Sequence, residues 1–182
     1  GLTTCTSCTP GSFANVSGQT ICHKCVPGKY AESPRENATC DKCPRGYYQT
    51  ASARSSCLPC IPGRIGQVDG LGCSDCPRGF YMSESASNAT SCLSCPRGFH
   101  QNSLGQTTCT SCTPGSFANK SGQKICHKCV PGKHAESPGK NTTCDKCPRG
   151  YYQTADAGSS CLPCIPGKIG QVDGLDCSDC PQ

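Results

Sequence analysis

Apolar side chains are few in this chain and occur at one recurring position. A ring or a branched aliphatic residue stands two positions after a glycine, and a polar stretch such as Ser17-Gly18-Gln19 follows it. No helical period is present, so the pattern predicts irregular hairpins of two short extended arms. We expect the apolar side chains to lie against a disulfide or the neighbouring repeat. They are Phe13, Tyr30, Tyr48, Ile65, Tyr81, Phe117, Tyr152 and Ile169, and the pattern is broken at His100 and His134.

Cysteines divide the chain into repeats. All 22 stand in C-x-x-C pairs, and neighbouring pairs begin 16 to 19 residues apart. The order of these spacings recurs after 104 residues, which predicts a first super-repeat of six repeats over 1–104 and a second, truncated one over 105–182. Residues 1–78 and 105–182 differ at only 12 positions, and none of these is a cysteine. We expect the chain to be a window of a longer array.

A turn is predicted directly after each cysteine pair. Glycine stands three residues after the second cysteine of every complete repeat, as in Cys8-Thr9-Pro10-Gly11. Proline presets the first φ of a type II turn and glycine accepts the positive φ that follows, so Pro10-Gly11 fits the centre of such a turn.

The composition leaves too little apolar surface for an ordinary core. The hydrophobic fraction is 34%, and without the 22 cysteines only about a fifth of the chain is apolar. Ordering the backbone costs ~1–2 kcal/mol per residue, so covalent cross-links must replace the missing core. The sequence therefore predicts a small disulfide-rich repeat array with little regular secondary structure.

Charge and hydropathy argue against a nucleic-acid partner and against a membrane span. The net charge of +5 comes from lysines and arginines scattered singly, whereas a nucleic-acid binder has a basic cluster. No stretch approaches the ~18 apolar residues of a membrane span. We expect no nucleic-acid partner and no membrane span in this segment.

Three pairing schemes fit the cysteines. The simplest joins the second cysteine of one pair to the first of the next, closes loops of about 15 residues worth ~3 kcal/mol each, and leaves Cys5 and Cys180 over. Another interleaves neighbouring pairs, and a third closes each pair on itself as redox motifs do. Sequence alone leaves the three open. The bonds of the first scheme, which we expect, are Cys8–Cys22, Cys25–Cys40, Cys43–Cys57, Cys60–Cys73, Cys76–Cys92, Cys95–Cys109, Cys112–Cys126, Cys129–Cys144, Cys147–Cys161 and Cys164–Cys177.

Zinc binding and catalysis are weaker alternatives. Repeated C-x-x-C pairs also occur in zinc ribbons, but His23 and His127 lie inside their pairs, too close to the flanking cysteines for a fourth ligand. No acid–base pair or nucleophile stands in a catalytic arrangement. We expect no enzyme activity, no metal and no cofactor.

Five N-glycosylation acceptors point to the secretory pathway. Two of them recur after 104 residues with a changed middle residue, since Val16 becomes Lys120 and Ala38 becomes Thr142. We expect N-linked glycans on Asn15, Asn37, Asn88, Asn119 and Asn141.

The repeat resembles a family of extracellular modules. Its C-x-x-C-x-P-G-x-[FY] start, polar turn and returning cysteine resemble ephrin-receptor-like cysteine-rich repeats, and more loosely tumour-necrosis-factor-receptor modules and protist surface-antigen repeats. The resemblance implies an elongated, disulfide-laddered extracellular rod without a large hydrophobic core.

The near-identity of the super-repeats favours a structural role. We expect an extracellular or cell-surface glycoprotein that self-associates into a filament, hair or coat, mastigoneme-like if the source is an alga or protist. Recent duplication is another explanation of the identity. The alternative function is a receptor or adhesion ectodomain stalk that binds a protein ligand.

Overall fold

The computed structural model describes residues 7–16, 18–32, 39–84, 91–139 and 142–181. Across these ranges the chain forms ten antiparallel two-stranded hairpins and no helix. Each hairpin pairs two strands that follow one another in sequence, and each occupies one repeat. The predicted small disulfide-rich repeat array is therefore confirmed.

The chain groups into two compact bodies, each with its own hairpins. The first comprises Gly1–Cys76, Met82–Cys92 and Gly105–Thr107, and the second comprises Pro77–Tyr81, Leu93–Leu104 and Thr108–Gln182. The strands of the first body are β1 Ser12–Phe13, β2 His23–Lys24, β3 Lys29–Tyr30, β4 Asp41–Lys42, β5 Tyr47–Tyr48, β6 Leu58–Pro59, β7 Arg64–Gly66 and β8 Cys73–Asp75. Those of the second are β9 Phe80–Tyr81, β10 Leu93–Ser94, β11 Phe99–His100, β12 Thr110–Ser111, β13 Ser116–Phe117, β14 His127–Lys128, β15 Lys133–His134, β16 Asp145–Lys146, β17 Tyr151–Tyr152, β18 Leu162–Pro163, β19 Lys168–Gly170 and β20 Cys177–Asp179.

The turn after each cysteine pair has the predicted geometry. In the first repeat, the Ser12 amide donates to the Thr9 carbonyl at 3.0 Å across Pro10-Gly11, and the φ of Gly11 is 85°. A positive φ at the third residue of an i to i+3 turn is the mark of type II. The glycines at this place in all ten described repeats have φ values between 79° and 87°. The predicted turn is confirmed.

Backbone hydrogen bonds join each hairpin to the next within a body. In the first body, the Gly11 amide donates to the Ala31 carbonyl at 2.8 Å, and the Ala31 amide donates to the Arg54 carbonyl at 3.2 Å. Ala31 is the residue six places after the second cysteine of its pair. Its carbonyl thus accepts a hydrogen bond from the preceding repeat, and its amide donates one to the following repeat. These bonds satisfy backbone groups that strands of two or three residues would otherwise leave unpaired.

A glutamine closes the loop of every third repeat, and two of the three glutamines, Gln49 and Gln101, are buried. The Nε2 atom of Gln101 donates to the Thr108 carbonyl at 2.8 Å, and the Ser103 amide donates to its Oε1 atom at 3.0 Å. Gln49 and Gln153 make the equivalent pairs of bonds. A buried amide side chain is tolerated here because both of its polar atoms are satisfied by the backbone.

In the eight repeats whose second turn the structure describes, that turn contains a residue with positive φ, which is alanine in two of them. Glycines such as Gly122 and Gly139 have φ values of 76° and 72° there. Within the described ranges, Ala53 at 57° and Ala157 at 59° are the non-glycine residues with positive φ. A side chain in this region costs ~1–2 kcal/mol.

We expect Ala157→Gly to raise the free energy of unfolding by about 0.5–1 kcal/mol, because the relief of the left-handed strain exceeds the ~0.5–1 kcal/mol entropic cost of glycine. Urea unfolding with the disulfides intact measures the change. The control is Ala155→Gly, two residues away, exposed and outside the positive-φ set, which should lower stability. A loss of stability in Ala157→Gly would contradict the prediction.

Candidate functional site

Ten disulfides form a ladder through the described residues. Each joins the second cysteine of one pair to the first cysteine of the next, and the Cα atoms of each bond are 5.7–5.9 Å apart. That separation is ordinary for a disulfide. The bonds are those of the first pairing scheme. Cys5 lies outside the described residues, and Cys180 is exposed and has no sulfur partner within the described ranges.

Cysteines are most of the buried apolar residues that the structure describes, together with Met82, Ala118 and Ala135. The largest fully buried side chains among the described residues are Cys25, Cys60, Cys76, Cys95, Cys112 and Cys129. Each is the second cysteine of its pair, and its amide donates back to the turn glycine of its hairpin, as Cys129 does to Gly115 at 2.8 Å. Sulfur is polarisable and packs as a small apolar group. The disulfides therefore supply both the cross-links and the buried volume.

The turn glycines meet a second partner that the sequence did not indicate. A Cβ atom on Gly115 would overlap the carbonyl oxygen of Ala157, two repeats further along the same body. Gly11 in the first body stands in the same relation to Ala53. In these two pairs the left-handed residue of the second turn presents its carbonyl to the first turn of the repeat two places earlier. Glycine is required here for this close approach as well as for its φ.

Two of the five predicted glycan acceptors lie within the described residues. Asn15 and Asn119 are both exposed, just beyond β1 and β13. Asn37, Asn88 and Asn141 lie outside the described residues. Exposure is what a glycan requires of its attachment site, so the positions of Asn15 and Asn119 agree with the prediction, and their glycosylation stays a prediction.

An aromatic pair lies beside each of these two asparagines. Phe13 faces His23 across β1 and β2, with ring centroids 5.6 Å apart. A cleft of about 300 Å³ includes both rings, Asn15 and Lys24 in its wall. In the second super-repeat the centroids of Phe117 and its histidine partner are 5.7 Å apart. The hairpin register brings the phenylalanine and the histidine together because they are directly opposite each other.

Two histidines lie against disulfides of the following repeat. The Nδ1 atom of His100 is 3.1 Å from the Cys126 sulfur, and that of His134 is 3.2 Å from the Cys161 sulfur. The Nε2 atom of His134 also lies 3.6 Å from a carboxylate oxygen of Glu136. Both histidines occupy the position that holds a ring or a branched aliphatic residue in the other repeats, a pattern that they break in the sequence. Their contact with a disulfide was therefore not predicted for these two residues.

The histidine–sulfur clusters do not provide thiolates. One cluster consists of His100, Cys112 and Cys126, and the other has the same composition of one histidine and two cysteines. In the first cluster the two cysteine sulfurs are bonded to each other in a disulfide. Zinc binds thiolates and a catalytic cysteine reacts as one, so a disulfide serves neither purpose. The arrangement is that of a disulfide scaffold, which is typical of secreted and cell-surface proteins.

We expect thiols to reduce Cys147–Cys161 about three- to tenfold faster than Cys43–Cys57, because the Nδ1 atom of His134, 3.2 Å from the Cys161 sulfur, can donate a hydrogen bond to the Cys161 thiolate as it leaves. The attacking thiolate bonds to the Cys147 sulfur, the disulfide breaks, and Cys161 leaves as a thiolate. Tyr30 replaces His134 in the first super-repeat, so the chain contains its own control. Time-resolved alkylation and mass spectrometry measure both rates.

Two reciprocal variants separate the histidine effect from the local stability of the repeats. His134→Tyr should slow the reduction of Cys147–Cys161 to the rate of Cys43–Cys57, and Tyr30→His should accelerate the latter. Unchanged rates in both variants would contradict the prediction.

Comparison with known families agrees with the repeat architecture. The family model for tyrosine-protein kinase ephrin type A/B receptor-like sequences matches residues 28–70 and 63–107. The predicted resemblance to these cysteine-rich repeats is thereby confirmed over 28–107. No curated protein matches the chain. Among the described residues there is no helix with the length and apolar character needed to cross a membrane.

Proposed function

We propose that the chain is a structural extracellular glycoprotein whose repeats self-associate into a filament, hair or coat. The observation that supports this function best is the recurrence of the same inter-repeat contacts in both super-repeats. Gly115 meets Ala157 as Gly11 meets Ala53, and Gly132 meets a carbonyl at the same step as its counterpart Gly28. Backbone contacts of this kind extend through any number of repeats without a specialised one.

The exposed apolar side chains also recur with the super-repeat. Val68 is 92% exposed and its counterpart Val172 is 94% exposed. Three further pairs are at least half exposed in both copies: Ile21 and Ile125, Ile61 and Ile165, and Val26 and Val130. Exposure of a large apolar side chain to water is unfavourable in free energy. Apolar side chains that are exposed at the same place in both super-repeats suit lateral contacts between copies of the chain.

Self-association of the glycosylated chain tests this function. Sedimentation velocity over a range of concentrations, with negative-stain electron microscopy, should detect concentration-dependent assemblies. The double variant Val68→Ser/Val172→Ser should weaken assembly. Val16→Ser is the matched control, because Val16 is 61% exposed but its counterpart is Lys120. A chain that stays monomeric at every concentration would contradict the proposal.

The second candidate is a receptor or adhesion ectodomain stalk. The match of residues 28–107 to ephrin-receptor-like sequences favours it, since that family model is described as receptor-like. A stalk that binds a protein ligand has no need to self-associate, so a strictly monomeric chain would favour this candidate over the filament.

A further inference from the structure

The cleft beside Asn15 has the composition of a small sugar-binding site. Phe13 and His23 form one wall, and the ammonium-bearing side chains of Lys24 and Lys29 line it together with Val26. Its volume of about 300 Å³ is at the small end of ligand clefts, which are usually apolar and contain a few polar groups. Aromatic rings accept the apolar C–H face of a sugar, and ammonium groups donate to its hydroxyl and carbonyl oxygens.

The attachment point of a sugar lies in the wall of this cleft. Asn15 is exposed, lines the cleft beside the Phe13 ring, and begins the acceptor sequence Asn15-Val16-Ser17. A sugar bonded to its side-chain nitrogen starts within reach of both rings. Because the bond is covalent, the docked sugar pays no translational cost of association.

The second super-repeat places the same groups together. Phe117 and His127 form a ring pair with centroids 5.7 Å apart and an interplanar angle of 44°. The Nε2 atom of Gln123 lies 2.8 Å from the His127 Nε2 atom and 3.5 Å from the Oδ1 atom of Asn119. That contact engages the amide oxygen of Asn119, whereas a glycan bonds to the amide nitrogen. The acceptor is thus tied to the histidine of the ring pair.

We propose that the first N-acetylglucosamine of the Asn15 glycan docks in this cleft, with its apolar face on Phe13 and His23 and its oxygens near Lys24 and Lys29. The inference rests on the glycosylation included in the proposed function. In that modification the Asn15 amide nitrogen loses one proton and bonds to the anomeric carbon of the sugar, and the lipid pyrophosphate carrier leaves. The docked sugar covers the β1–β2 hairpin and holds its two strands together, which makes the glycan a structural part of the repeat.

Selective trimming of the glycan tests the docking on the full chain. The chain is secreted from a host that adds only high-mannose glycans, in a variant with Asn37, Asn88, Asn119 and Asn141 replaced by glutamine. Endoglycosidase H leaves the first sugar on Asn15, whereas peptide N-glycosidase F removes it. Amide hydrogen exchange of the β1–β2 hairpin should be about 3- to 10-fold slower in the form that keeps one sugar.

Three controls assign the effect to stacking on the ring. Phe13→Leu keeps an apolar side chain but removes the ring, so its two trimmed forms should exchange alike. Asn15→Gln supplies a sugar-free hairpin without the aspartate that peptide N-glycosidase F creates. Exchange in the β17–β18 hairpin of the second body should be the same in all forms.

The outcomes separate this inference from the proposed function. Equal exchange in the two trimmed forms of a chain that is glycosylated at Asn15 would overturn the docking alone. An unmodified Asn15 in intact-mass analysis would overturn the docking and the glycoprotein part of the proposed function together.

Discussion

Removal of the Cys112–Cys126 disulfide, by replacing both cysteines with alanine, is expected to lower the free energy of unfolding by about 4–5 kcal/mol. The bond closes a loop with a sequence separation of 14, whose entropy accounts for ~3 kcal/mol. Cys112 is fully buried, so the lost sulfur also leaves a cavity that adds ~1–2 kcal/mol. Because repeat arrays open locally, hydrogen exchange in the surrounding repeats is the appropriate measurement, together with urea unfolding.

A second disulfide in the same body is a matched control. Cys147–Cys161 has the same sequence separation of 14 and also contacts a histidine, but both of its cysteines are only half-buried. Its removal should therefore cost about 3 kcal/mol, the loop-entropy contribution alone. Equal losses for the two double variants would show that the buried sulfur contributes no packing energy.

Gly115→Ala is expected to destabilise the protein by about 3 kcal/mol or more, because two costs add. The φ of 79° places alanine in the left-handed region, which costs ~1–2 kcal/mol. The new Cβ atom would overlap the Ala157 carbonyl, and relieving an overlap with backbone in a packed interior costs a further ~1–3 kcal/mol. Urea unfolding with the disulfides intact measures the sum.

Gly150 is the control that isolates the second cost. Its φ is 84°, close to that of Gly115, but no described residue lies within 4 Å of the position its Cβ atom would take. Gly150→Ala should therefore cost only ~1–2 kcal/mol. If both variants lost the same stability, the contact between repeats two places apart would carry no energetic weight.

The local features of the fold were predictable because they depend on neighbouring residues. Pro10-Gly11 specifies its type II turn through the φ values that each residue accepts, and the turn is the same wherever the hairpin is placed. The apolar ring two residues later, on the outgoing strand, follows from the same geometry. The contact of His134 with the Cys161 sulfur was not predictable, because His134 breaks the apolar pattern at its position and its partner lies in the following repeat.

The candidate glycan site was only partly predictable. The acceptor sequence at Asn15 indicates a modification, but the pattern did not indicate that Phe13, His23 and the lysines would line one cleft beside it. The pairing of Phe13 with His23 depends on the register of β1 and β2, which is set by the length of the loop and the disulfide between them. A signal was present in hindsight, since Phe13 stands two residues before Asn15.

The length of the repeat, the hairpin in each repeat, its turn type and the need for disulfides follow from the sequence, because backbone dihedrals and apolar content are local properties. Which surfaces of consecutive hairpins meet is a property of the folded chain and could not be predicted. Gly115 and Ala157 lie two repeats apart in the sequence and meet only because consecutive hairpins pack on one another. The residues of a single repeat do not indicate that contact. Gly115 therefore has two roles. Its positive φ is a requirement of its own turn, whereas the need for a missing Cβ atom arises from a carbonyl two repeats away.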